Sequence, residues 1–171
     1  RDLTKETVPL GILHGSEGII IEEVQGTHSY RFVLEPGKRF NLHTSAPGKA
    51  ILAFLPEDEL NTIVGQMEFK KFNEKTITRK SDFLKYLSTV RKTGYAIDHA
   101  EETEGMHCVG APIFNRHGYP IAAIWITGPS QRVAEKEFPA IGEIVKNHAM
   151  NISKSLGYHM EMRIFEHASI A

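Results

Sequence analysis

The chain has 171 residues, 41% of them hydrophobic and 24% charged, with a formal net charge of −1, which is enough length for one domain with its own core. The near-neutral balance gives no basic field for nucleic acid, and no apolar run approaches the length of a membrane span. A single cysteine, Cys108, rules out an intrachain disulfide and fits a reducing, cytoplasmic setting. The abrupt polar opening, residues 1–6, has no initiator Met and no signal peptide, so it reads as part of a longer protein.

Residues 8–13 and 18–24 are apolar-rich and are split by His14-Gly15-Ser16-Glu17, which predicts a β-hairpin. Residues 30–34 predict a third strand, ended by Glu35-Pro36-Gly37. The most informative stretch is 41–60. Thr44 and Ser45 are helix N-cap types, Pro47 belongs in a first turn, and residues 50–55 can be buried. Pro56 then opens a second helix with Glu57, Asp58 and Glu59 at its positive end, followed by Leu60, Ile63, Val64 and Met67 at helical spacing. A helix start framed by Thr, Ser, Ala, Pro and Gly leaves backbone N–H groups uncovered. That is a seat for a carboxylate or phosphate, although most N-caps bind only water. Gly48-Lys49-Ala50 lacks the upstream glycine and the following hydroxyl of a nucleotide phosphate loop, which excludes that reading.

Residues 68–78 are polar and irregular. Residues 81–93 form an amphipathic helix carrying Phe83, Leu84, Leu87 and Val90 and stopped by Gly94. Strands are expected from 95–98, over 108–114 and over 121–127, the last two joined by Asn115-Arg116-His117-Gly118. A long final helix places Ile141, Ile144, Val145, Ala149, Ile152 and Leu156 on one stripe and ends at Gly157, with Pro139 in its first turn or kinking it. Two groups of strands, with helices between and after them, describe an α+β domain on a largely antiparallel sheet.

His43, Asp98, His107 and Cys108 are metal-ligand types, but no tight spacing joins them, and strand alternation sends His107 and Cys108 to opposite faces. Cys108 reads as a small buried hydrophobe or as pocket lining; a thiol- or metal-dependent enzyme built on it would need a base that no motif supplies. His43 either donates to a ligand or caps a strand, and the other histidines read as surface. Alternation also puts Ala123, Trp125 and Thr127 on one face of their strand. Trp125 is then either core or a flat wall able to stack a sugar face or an aromatic ring.

Three ordered blocks carry a resemblance: LHTSAPGKAILAFLP at 42–56, GYAIDHAEETEGMHCVGAPIFNRHGYPIAAIWITGP at 94–129, and SLGY at 155–158 ending the last helix. Together they resemble the effector-binding domain of the IclR family of bacterial transcription regulators over nearly the whole chain. The resemblance implies a GAF-like or profilin-like sheet flanked by helices, with residues 1–171 as a single effector-binding domain. It implies that the winged helix-turn-helix part is absent from these residues, and that DNA is contacted only through that part. It further implies a small carboxylate effector, such as a sugar acid or keto acid, a homo-oligomer (dimer or tetramer), no cofactor, no metal and no catalysis. A pure dimerisation module is the remaining alternative.

Position by position, the resemblance puts the ligand's carboxylate at Ala46 and Pro47, beside Ser45 and Gly48. Pro47 has no N–H to give, which leaves the amides of Ala46, Gly48 and Lys49 and the hydroxyls of Thr44 and Ser45. Asp98 would accept from a ligand hydroxyl. Met106, Cys108, Trp125 and Thr127 occupy further pocket positions, Phe32 and Phe40 the apolar walls, and His43 precedes the loop. Trp125 stands where the family usually has a small residue.

Overall fold

The computed structural model describes residues 1–159. In chain order the elements are β1 (Val8–His14), β2 (Glu17–Val24), β3 (Arg39–Phe40), α1 (Ala46–Leu52), α2 (Glu57–Gln66), α3 (Lys80–Thr93), β4 (Ala96–His99), β5 (Met106–Phe114), β6 (Pro120–Pro129) and α4 (Phe138–Ser155). The six strands form one antiparallel sheet in the order β3-β2-β1-β6-β5-β4, so the α+β expectation holds. Among the described residues no helix is long and apolar enough to cross a membrane.

The β1–β2 hairpin forms where its punctuation placed it, with Gly15 at φ +62° supplying the left-handed turn conformation. Ser45 caps α1 by accepting from the Gly48 N–H at 3.1 Å, and Pro47 lies in the first turn. Gly94 ends α3 in the left-handed region, its N–H returning to the Val90 carbonyl at 2.8 Å. Pro139 sits in the first turn of α4, where its missing N–H costs nothing.

One expected strand does not form. Residues 30–34 join no ladder, and the short third strand is β3 instead. The reason lies in where the backbone groups of that segment go. The Phe32 carbonyl accepts from the Thr7 hydroxyl at 2.7 Å, and the Tyr30 carbonyl accepts from Arg132 Nη2 at 2.9 Å. The Leu34 N–H donates to the Glu23 carboxylate. Distant side chains thus take the place of a ladder.

The sheet buries both faces. On one, Val109, Ala111, Ile113 and Ile126 pack with Val133, Ile141, Val145 and Ala149 beneath α4. On the other, α1 through α3 bring Ile51, Leu52, Val64, Phe83, Leu87 and Val90 together. Every residue of α1 is buried. It can lie this close to β5 because position 110 is glycine: a Cβ there would sit 3.0 Å from the Trp125 Cβ and 3.3 Å from the backbone of Ala46 and Pro47. From α3, the Tyr86 hydroxyl accepts from the Ile97 N–H at 2.9 Å and lies 3.2 Å from the Ile97 carbonyl, to which it donates.

Candidate functional site

On the α1 side of the sheet lies a cleft of about 360 Å³, a size suited to a small organic molecule. Although β3 and β4 are the two edges of the sheet, residues at both border it, so the sheet curls around the opening. Register across β4, β5 and β6 aligns Asp98 with Cys108 and Cys108 with Thr127, making one polar row on this face. The adjacent row carries Gly110 and Trp125. Beneath the opening, Ile20, Cys108 and Trp125 form a small apolar floor that packs on Ala46.

Of the residues expected from sequence, Phe32, Phe40, Ser45, Pro47, Asp98, Met106, Cys108 and Trp125 border the cleft, together with Thr44. Trp125 is only 2% exposed and meets the Phe40 ring edge-on at 5.5 Å, so it serves as core and wall at once. Phe40 fits because position 18 is glycine; a Cβ there would fall 1.9 Å from its ring.

His43, Ala46, Gly48 and Thr127 do not border the cleft. His43 is buried elsewhere, with Nε2 3.0 Å from the Lys70 carbonyl and its ring against Phe69 and Phe72, where it anchors the 68–78 segment. Burial lowers its pKa and favours the neutral ring. Ala46 and Gly48 are packed into the α1 start, and Thr127 is covered by the residues around Thr7, to whose backbone it is paired. His107 faces away from Cys108, with Nδ1 2.7 Å from the Val133 carbonyl and its ring against His99 and Phe138. His99, expected at the surface, is half-buried in that cluster and pairs with Glu135 at 2.6 Å; His167 lies outside the described residues.

The anion seat at the α1 start is largely occupied by the chain itself. The Gly48 N–H goes to Ser45 Oγ and the Lys49 N–H to the Ser45 carbonyl, each at 3.1 Å. The Ser45 hydroxyl donates to the Asn41 carbonyl at 2.6 Å, and the Thr44 hydroxyl to Glu102 Oε2 at 2.6 Å.

Directly behind the cleft is a charged cluster the sequence reading missed. The Lys49 side chain is fully buried, forms an ion pair with Glu101, and lies 4.9 Å from the centre of the Tyr86 ring. Burial raises the Asp98 pKa to about 6 and that of Glu101 to about 7, each opposed by Lys49. The available signal was a lysine inside an otherwise apolar helix, which must find an acidic partner. Sequence reasoning also passed over Lys38 and Glu102, both at the cleft.

This arrangement suits binding better than thiol chemistry. Burial, followed by the neighbouring Asp98, pushes the Cys108 thiol well above its usual pKa, which keeps it protonated and poorly nucleophilic. Its polar neighbours are the Thr127 hydroxyl at 3.4 Å and the Asp98 carboxylate. Among the described residues no three His, Cys, Asp or Glu side chains converge to hold a metal ion. A second cavity of about 330 Å³, between α4 and residues 1–4, is walled by Val8, Ile124, Ile126, Ile144, Val145 and Ile152 and offers few polar groups to orient a ligand.

The family described as "Bacterial transcriptional regulator IclR C-terminal" matches residues 1–154. The chain is 34% identical over 157 residues to the HTH-type transcriptional regulator KdgR of Escherichia coli K12, covering 92% of this chain and 60% of that protein. It is 36% identical over 155 residues to the HTH-type transcriptional repressor AllR of the same organism, covering 91% of this chain and 57% of AllR. It therefore spans somewhat more than half the length of these relatives. The crystal structure of Thermotoga maritima IclR superposes with a TM-score of 0.86 at 38% identity, covering 92% of this chain and 64% of that one. The C-terminal domain of E. coli KdgR superposes with a TM-score of 0.81 at 33% identity, covering 92% and 91%.

Proposed function

The chain belongs to the IclR family of bacterial transcriptional regulators, as its C-terminal domain, and on that footing we propose that it senses a small organic acid in the cleft bordered by Trp125 and Asp98. Binding there sets the DNA affinity of a helix-turn-helix part carried elsewhere in the full-length regulator. The regulator works in the cytoplasm as a dimer or tetramer, since proteins that read paired half-sites need two-fold assemblies. The domain performs no catalysis.

The observation that carries this reading is the cleft itself. It combines an apolar floor with carboxylate and hydroxyl groups on its rim, the mixture that orients a small polar ligand. Its relatives KdgR and AllR are a transcriptional regulator and a transcriptional repressor.

A melting screen over C2–C8 organic acids tests it. An effector stabilises the fold by RT ln(1 + [L]/Kd), about 2.7 kcal/mol at a hundredfold excess over Kd, which raises Tm by several degrees. A screen in which no acid raises Tm overturns the reading.

A further inference from the structure

Resting on that reading, we propose that the proton is a second ligand of this domain: an anionic effector enters the cleft together with a proton that the Asp98–Glu101 pair takes up, so that affinity for acids rises as pH falls.

The pair is short of positive charge. Lys49, Asp98 and Glu101 are 0%, 2% and 5% exposed, and the Lys49 ammonium makes its ion pair with Glu101. The Glu101 N–H donates to Asp98 Oδ1 at 2.9 Å, so both carboxyl groups belong to one turn. Glu101 Oε2 is buried as well and has no hydrogen-bond partner among the described residues. Two buried carboxylates on one ammonium leave a negative charge uncompensated, which a site shut off from water relieves by keeping a proton. Burial accordingly raises Asp98 to about 6 and Glu101 to about 7, against the pull of Lys49. The two groups titrate as a unit, and the unpartnered Glu101 Oε2 is where their proton resides. Lys49 then balances Asp98, which stays ionised at the cleft.

The other titratable groups around the pair do not take this role. Tyr86, from α3, has its hydroxyl bonded to both backbone groups of Ile97, and burial raises its pKa. Burial likewise keeps the Cys108 thiol of β5 neutral. Glu102 stands at the rim, where it accepts from Thr44 and Asn41 and adds like charge beside Asp98. At the α1 start, burial lowers the His43 pKa from 6.5, so His43 charges only in more acid solution. His99 turns its ring to the other face, against His107. Lys38 and Arg39 border the cleft as cations from the opposite edge of the sheet.

The turn that carries the pair is fixed from outside the sheet. Ala100, between the two acids, takes φ +58°, a left-handed conformation that a side chain disfavours. Asn73 Nδ2 donates to the Ala100 carbonyl at 2.8 Å, and the Thr76 hydroxyl donates to the Glu101 carbonyl at 2.6 Å. Asp98 borders the cleft directly. A bound acid therefore adds negative charge beside a pair that cannot shed it, and raises the pair's affinity for its proton; a neutral ligand does not. Uptake is largest above pH 7, where free Glu101 has begun to ionise.

Titration calorimetry on the whole chain tests this at about pH 7.5, in HEPES and in Tris, whose different ionisation heats reveal proton transfer. The probes are pyruvate and D-gluconate, their neutral amides, and every acid of the melting screen that raises Tm. Each acid that binds should take up about half a proton or more, and its Kd should rise by up to about tenfold per pH unit above 7. The amides should bind without uptake. Glu101→Gln should abolish the uptake and flatten the pH dependence. Carbon-13 NMR of the free wild-type protein, which needs neither ligand nor variant, should show one carboxyl of the pair titrating near pH 7. An acid that binds with the same heat in both buffers overturns the proposal and leaves the effector reading intact. So does equal uptake with an amide, uptake that survives Glu101→Gln, or a free protein whose two carboxyls are both ionised by about pH 5. If no acid binds at all, the effector reading falls and takes this proposal with it.

Discussion

Of the two walls that face each other across the cleft, one is ladder and the other is tether. Asp98, Cys108 and Trp125 stand on β4, β5 and β6, whose backbones pair along their length, and the buried Lys49–Glu101 pair backs them from α1. Residues 30–34 have no such ladder; side chains from Thr7, Glu23 and Arg132 hold their backbone groups. Arg132 is itself fixed by a bidentate pair with Glu6, whose side chain is 4% exposed. Thr7 also accepts from the Gly26 N–H at 3.1 Å, closing both ends of the segment onto residues 6–7. A wall held by a few tethers can open at a free energy well below that of global unfolding, while a wall of continuous ladder opens only with the core. The comparison therefore assigns geometry to one side of the cleft and compliance to the other.

The largest test strikes the rigid side. Lys49→Met strands Glu101 and Asp98 without their buried cation and should cost about 3–5 kcal/mol in urea unfolding. Adding Glu101→Leu should return most of that loss, because an apolar replacement of the whole pair leaves no buried charge. A loss under about 1 kcal/mol for Lys49→Met would show that the pair does not hold this wall.

Next comes the residue that belongs to both core and cleft. Trp125→Ser should destabilise by about 3 kcal/mol or more, given its burial, and should also weaken the best acid from the screen. Unchanged or improved affinity would leave the indole as core alone.

The compliant side should respond differently. Thr7→Val removes a hydroxyl that both donates to Phe32 and accepts from Gly26, for about 1–3 kcal/mol. Hydrogen exchange should show lost protection in residues 25–36 ahead of β5 and β6. Equal loss across both regions would erase the distinction between the walls.

The smallest effect is a pH signature of the rigid wall. Glu101 takes up its proton more readily folded than unfolded, since its pKa is raised to about 7. Its contribution to stability is therefore fully present in acid and is lost as pH rises from its ordinary value near 4.5 through about 7. The Tm difference between wild type and Glu101→Gln should fall across that window. His43 and His107, whose pKa values burial lowers, act in the opposite direction below pH 6.5 and cancel in the difference. A flat difference curve would place Glu101 in an ordinary solvated environment.

What the sequence made legible is local. Ser45 and Pro47 announced the α1 start, Gly94 the end of α3, and alternation around Trp125 and Cys108 identified the face that carries the cleft. What it hid depends on partners far along the chain. Residues 30–34 have the composition of a strand, but the bonds that settle them come from Thr7, 25 residues before Phe32, and from Arg132, 102 residues after Tyr30. Lys49 finds Glu101 across 52 residues. Thr127 shares the face of the site residues, yet it is buried and bridged to Thr7, so direction along the strand does not by itself place a residue at the rim of the cleft. Of the amides at the helix start, those of Gly48 and Lys49 meet the Ser45 hydroxyl and carbonyl, partners that composition alone does not show.

The Tyr86 hydroxyl has a bearing on how copies of this chain can meet. An edge strand with free N–H and carbonyl groups is a template on which a stray strand can grow, and hence a seed for aggregation. At the β4 edge the Ile97 pair of groups is already occupied by one phenol, whose ring is pinned in turn by the Lys49 ammonium. An incoming strand would have to evict a side chain seated on a buried cation. Tyr86 thus occupies the backbone groups at Ile97 on which sheet extension at this edge would begin.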